Sequence, residues 1–123
     1  MSENKFEKYS DVEKCPIRNV VDRIGDKWSM LVLVLLNEGR VLRFNEIHKY
    51  IGTISQKMLS VTLKSLEADG LVARKVYPEV PLRVEYSLTQ MGESLIPCLL
   101  CLVKWAKTHC VDIQQARERY AAR

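Results

Sequence analysis

Gln56, Ser60 and Lys64 follow one another at i, i+4 and i+8, with Lys57 and Val61 alongside. On a helix this spacing gathers amide, hydroxyl and ammonium groups into one continuous stripe. Such groups can bond to base edges in a major groove while the lysines neutralise the flanking phosphates. The same pattern is also what a solvated helix face presents, so the stripe alone leaves both readings open. Arg74, Lys75 and Arg83 form a second basic group, set in a β-prone region and opposed only by Glu79 and Glu85. Positive charge along a hairpin suits a sugar–phosphate backbone.

The elements that must position these groups can be read from the same sequence. Ser55, or alternatively Thr53, supplies a helix N-cap, and Ala68-Asp69-Gly70 supplies the stop. Between them Leu59, Leu63 and Leu66 define a buried face opposite the polar stripe. Leu71 to Tyr77 and Arg83 to Leu88 read as two strands joined by Pro78-Glu79-Val80-Pro81-Leu82, whose prolines cannot join a ladder and stiffen the connection. Upstream, Phe44, Ile47 and Ile51 make the apolar face of a short helix that ends in the turn Gly52-Thr53-Ile54. Helix, turn and helix are thereby complete. Asp26 caps a further helix from Lys27 to about Glu38, with Gly39 as its stop and Trp28, Leu31, Val32 and Leu35 as its core face. Its apolar run, Met30 to Leu36, is far shorter than the roughly 20 residues of a membrane span and is assigned to the core.

Composition fits one soluble domain over residues 1–123, with no linker, repeat or low-complexity tract to divide it. The charged segment Met1 to Ser10 lacks the apolar stretch of a signal peptide, so a cytoplasmic location is expected, without membrane association. A net charge of +4 is compatible with nucleic-acid binding, but the placement of the charge carries more information than its sum. Enzymatic activity is not expected: there is no phosphate-cradling glycine loop and no nucleophile motif. No cofactor is expected, and with only His48 and His109 beside the cysteines no metal-site spacing arises.

Several segments, in this order, carry a resemblance: Cys15-Pro16, Ile24-Gly25-Asp26-Lys27-Trp28, Arg43-Phe44-Asn45-Glu46-Ile47, Leu66-Glu67-Ala68-Asp69-Gly70-Leu71, Tyr77-Pro78-Glu79-Val80-Pro81 and Arg83-Val84-Glu85-Tyr86-Ser87-Leu88-Thr89. Over about residues 10–109 the chain resembles the HxlR-type family of bacterial winged helix-turn-helix transcriptional regulators. Leu82 departs from it, standing where the family often has a second proline. The resemblance implies a mainly α fold with a small β-hairpin, an α+β winged helix-turn-helix whose N- and C-terminal helices form a dimer interface. It further implies a sequence-specific homodimer on double-stranded DNA with a pseudo-palindromic operator, its wings touching flanking backbone. The residues after a Thr89 cap agree with a dimer, since Leu95, Leu99, Leu102 and Ala106 form one apolar row and Ile96, Leu100 and Val103 another. One row can meet the chain's own core and the other, with Trp105, a second subunit. A fully buried helix in a monomer is the competing reading. Pro97 is expected to kink this helix or to lie in its first turn.

Cys15 precedes a proline suited to the first helical position and is flanked by Lys14 and Arg18. A helix N-terminus and two cations all favour the reactive thiolate. The family resemblance implies a redox or electrophile sensor at this Cys-Pro position; structural packing is the alternative. Modification of Cys15 would act through the helix from Pro16 to Gly25 on the angle between two DNA-reading heads. Cys98 and Cys101 lie in an apolar helical run and are expected to be small buried hydrophobes, while Cys110 could contribute to a disulfide across a dimer. Two other functional classes stay open: a winged helix serving as a protein-interaction module, and a small redox protein built on Cys98 and Cys101.

Overall fold

The structure is a computed structural model that describes Val21, Asp22 and residues 25–123. From Lys27 onward the described residues form four helices and three strands, in the order α1 (Lys27–Gly39), β1 (Val41–Arg43), α2 (Phe44–Ile51), α3 (Gln56–Ala68), β2 (Val72–Tyr77), β3 (Arg83–Leu88) and α4 (Gln90–Ala121). This is a winged helix: a helix-turn-helix of α2 and α3, followed by an antiparallel hairpin.

Three caps fall where side-chain chemistry places them. The Asp26 carboxylate accepts from the Ser29 backbone N–H at 3.3 Å and from its hydroxyl at 3.2 Å, and the Ser55 hydroxyl oxygen accepts from Met58 N–H at 3.0 Å. Thr89 accepts from Gly92 N–H at 3.0 Å and starts α4. In α2 the Glu46 carboxylate accepts from Arg43 N–H at 2.9 Å, one half of a capping box.

Leu59, Leu63 and Leu66 of α3 are fully buried and meet Val32, Leu33 and Leu36 of α1, Ile47 of α2 and Val72 of β2. Each such side chain contributes roughly 1.5–3 kcal/mol through lost contact with water. Ile54, read from sequence as part of a turn, is also buried and anchors the turn between α2 and α3. On α1 the expected face is displaced. Leu31 is 49% exposed and Trp28 and Leu35 are only partly buried, whereas Ser29, Val32, Leu33 and Leu36 point inward. A run that is apolar at every position from Met30 to Leu36 has no polar residue to fix its phase, so tertiary packing chose the face. Gly39 closes α1 from inside the helix, and the left-handed residue is Arg40, at φ 68°.

The third strand was not expected. β1 pairs antiparallel with β3 through Val41 with Ser87, Leu42 with Tyr86 and Arg43 with Glu85, giving the sheet order β1-β3-β2. The hairpin pairs Val72 with Leu88 through to Tyr77 with Arg83 and leaves Pro78 to Leu82 as its connection, with a cis Val80–Pro81 peptide. Along β2 only Val72 is buried, so the hairpin projects from the body as a wing.

The junction between α3 and α4 is tight. Gly70, at φ 78°, turns the chain, its carbonyl accepts from the Thr89 hydroxyl at 2.5 Å, and the Leu71 carbonyl accepts from Thr89 N–H at 3.1 Å. A Cβ on Gly92 would lie 2.2 Å from that same Leu71 oxygen, so only glycine lets α4 start against β2.

Helix α4 continues through Pro97, which lies well beyond its first turn. Gly92, Ile96 and Leu99 are buried in its N-terminal part, against α1 and β3. The two apolar rows are thus divided along the axis rather than around it: beyond Leu99 the helix leaves the body, and Leu100, Leu102 and Trp105 are exposed. By length and composition α4 could cross a membrane, but its N-terminal turns are part of the core. Cys98 and Cys101 are exposed, which corrects the expectation that they are buried. They fall on the side of α4 turned away from Ile96 and Leu99.

Candidate nucleic-acid interface

Helix α3 presents its polar stripe outward. Gln56, Lys57, Val61 and Lys64 are exposed and Ser60 is half-buried, while Leu59, Thr62, Leu63 and Leu66 hold the opposite side in the core. The stripe therefore rests on a helix fixed by three leucines, a Ser55 cap and α1 behind it.

Between α3 and the wing lies a cleft of about 360 Å³ lined by Ser60, Lys64, Glu67, Arg74 and Tyr86. It brings together Lys64 and Arg74, which the sequence placed on separate elements, and makes the polar face of α3 continuous with β2. Glu67 and Tyr86 were not singled out from sequence. Both could have been found: Glu67 is one turn beyond Lys64, and Tyr86 is the cross-strand partner of Arg74 once the hairpin closes at Tyr77 and Arg83.

Further out, Lys75 is exposed and opposite Glu85, with its Nζ 4.9 Å from the centroid of the Tyr77 ring. Arg83 is placed differently from the expectation of a free phosphate-binding group. Its guanidinium lies 3.9 Å from the Tyr77 centroid and pairs with Glu79 at 3.3 Å and Glu85 at 3.8 Å. The charge of Arg83 is met within the wing, and the side chain braces the hairpin base against its connection. Spacing alone does not reveal this, because the cation stacks on its cross-strand neighbour and pairs with acids on both sides of it. Cys15, the remaining candidate, lies outside the described residues.

This geometry suits a duplex: a supported polar helix for a groove, a cationic seam beside it, and a projecting hairpin for the flank. The model of the HxlR-like helix-turn-helix family matches residues 23–114. An uncharacterized HTH-type transcriptional regulator of Methanothermobacter thermautotrophicus is 50% identical over 95 residues, covering 77% of this chain and 72% of the relative. Among solved structures, the redox regulator HypR in its reduced form aligns with a TM-score of 0.76 at 38% identity, over 81% of this chain and 98% of that one. The reduced form of the transcriptional regulator YodB from Bacillus subtilis aligns with a TM-score of 0.67 at 38% identity, over 78% and 94%. The family role is DNA binding rather than catalysis. From its helix-turn-helix, its wing and these matches, the chain belongs to the HxlR-like helix-turn-helix family of transcriptional regulators.

Proposed function

We propose that this regulator acts in the cytoplasm as a homodimer on a pseudo-palindromic operator, with α3 of each subunit in a major groove. Gln56, Ser60 and Val61 face the base edges, and Lys57, Lys64, Arg74 and Lys75 lie along phosphates. The observation that carries this reading is the cleft that Lys64 and Arg74 line together with Ser60 and Glu67, because it joins the helix stripe and the wing into one polar surface on which the two cations outnumber the one acid. Arg83 serves as the wing's brace. The exposed apolar residues of α4, Leu100, Leu102, Trp105 and Val111, support a subunit contact, since they leave apolar side chains in solvent along a helix that continues past the body.

The test is the salt dependence of binding to a selected duplex. Each phosphate contact releases counterions, with a log–log slope of about −0.9 per phosphate neutralised. Lys64→Ala and Arg74→Ala should each flatten the slope by roughly 1.8 in a dimer, one contact per subunit. Unchanged slopes in both variants would remove the seam from the interface.

Cys15 supplies the signal input in this reading. The likeness to HypR, which is a redox regulator with reduced and oxidized forms, and to YodB, which has a diamide-treated form, supports it. Operator affinity is to be compared between reduced and diamide-treated protein, with Cys15→Ser as the control. A change on diamide that Cys15→Ser abolishes supports sensing; equal affinities throughout would eliminate it.

A further inference from the structure

Cys98 and Cys101 stand free and exposed on α4, and neither the core nor the cationic seam uses them. They lie three positions apart on a helix that continues from Gln90 to Ala121, so both thiols leave it on one face. That face is turned away from Ile96 and Leu99, the buried residues that hold α4 to the body.

Their spacing decides which bond the two sulfurs can make. Side chains at i and i+3 of a helix have Cβ atoms about 5–6 Å apart, whereas a disulfide needs them about 3.5–4.5 Å apart. A direct S–S bond would have to break the helix. A single atom set between the two sulfurs closes the gap and leaves the helix intact. The surroundings limit what that atom can be. Among the described residues no three His, Cys, Asp or Glu side chains are grouped so as to hold a metal ion. The Ser94 hydroxyl, one turn before Cys98, donates to the Met91 carbonyl at 2.5 Å. His109 follows Cys101 by eight positions, about 12 Å of helix, and it stacks on Trp105 at 4.5 Å and lies 3.8 Å from the Asp112 carboxylate. Two sulfurs do not serve a centre that demands four ligands, as structural zinc does. They do serve a soft centre that takes two thiolates and brings its own third substituent.

We propose that Cys98 and Cys101 form a chelating site for trivalent mono-organoarsenicals. In the hydrated form R–As(OH)2 the arsenic already carries one carbon. Each thiol forms one As–S bond as one As–O bond breaks, and the two thiol protons leave with the two hydroxides as two waters. Arsenic stays trivalent, so no oxidant or reductant takes part. The second As–S bond closes within one chain, so the pair should hold the arsenical about 100-fold more tightly than either cysteine alone. The site lies within one helix of one subunit and rests neither on the operator reading nor on Cys15.

The experiment uses the full reduced chain, phenylarsine oxide as the probe, and excess glutathione to strip arsenic from single thiols. Intact-mass spectrometry should show one phenylarsenic per chain with the loss of two titratable thiols, and dithiothreitol should reverse it. Cys98→Ser and Cys101→Ser should each weaken binding about 100-fold, with the melting temperature unchanged because both side chains stand in solvent. Cys15→Ser and Cys110→Ser should bind as the parent does. Circular dichroism should show the helix retained in the adduct, and peptide mapping after diamide should find no Cys98–Cys101 disulfide. Absence of the adduct under glutathione, an adduct that survives Cys98→Ser or Cys101→Ser, loss of helix on binding, or a Cys98–Cys101 disulfide formed with the helix intact would each overturn the proposal.

Discussion

Gly92→Ala tests the joint on which both halves of the molecule depend. An alanine Cβ there would sit 2.2 Å from the Leu71 carbonyl oxygen and 3.1 Å from its carbon, distances that backbone cannot absorb by rotating a side chain. The same oxygen accepts from Thr89 N–H, and Thr89 caps α4 through Gly92 N–H. Relief of the clash must therefore move the start of α4 away from the end of α3. Forced overpacking costs about 1–3 kcal/mol, and weakening the cap adds about 1 kcal/mol. Replacing glycine within a helix returns about 1 kcal/mol. The net destabilisation is about 1–3 kcal/mol, or roughly 3–15 °C in melting temperature for a domain of this size. Urea unfolding at constant m-value reads the free energy, and DNA affinity should fall in the same variant because α3 shifts with the joint. A variant as stable as the parent, or more stable by the helix-propensity gain, would refute this account of the junction.

Ser55→Ala removes the acceptor of the Met58 N–H bond and should destabilise the domain by about 1 kcal/mol in urea titrations, with Ser55→Asp largely preserving stability. Arg83→Ala should differ from Arg74→Ala: it should leave the salt slope of DNA binding nearly unchanged and instead raise hydrogen exchange in β2 and β3, because its charge is already met by Glu79 and Glu85. Trp105 is 54% exposed on α4, and Trp105→Ala should weaken the proposed dimer about 30-fold in sedimentation velocity, the effect of a buried aromatic anchor worth about 2 kcal/mol. Unchanged association would place the subunit contact elsewhere.

The legible parts of the fold are those set by local chemistry. Asp26, Ser55 and Thr89 announce their helices because an oxygen one residue before an apolar pattern has a backbone N–H to accept from. Strand β3 coincides with its reading from sequence, and β2 begins one residue later than expected, because the two prolines mark the connection from both sides. Strand β1 was illegible for the opposite reason. Three residues show no period of two, and their order comes from pairing with β3, far along the chain. The face of α1 was hidden by an unbroken apolar run, and the exposure of Cys98 and Cys101 by the side of α4 they occupy, turned away from the buried Ile96 and Leu99. Of the interface, the stripe from Gln56 to Lys64 could be read directly. The cleft that ties Lys64 to Arg74, and the capture of Arg83 by Tyr77 and Glu79, exist only once the wing is folded back beside α3.

The central claim is that two copies of α3 read two half-sites of one duplex. Selection of bound fragments from genomic DNA tests it most directly. The account predicts an enriched pseudo-palindrome whose half-site centres are about 10–10.5 base pairs apart, or a multiple of that, as two-fold symmetry and the helical repeat require. Enrichment of a single asymmetric site, or of no sequence at all, would contradict it.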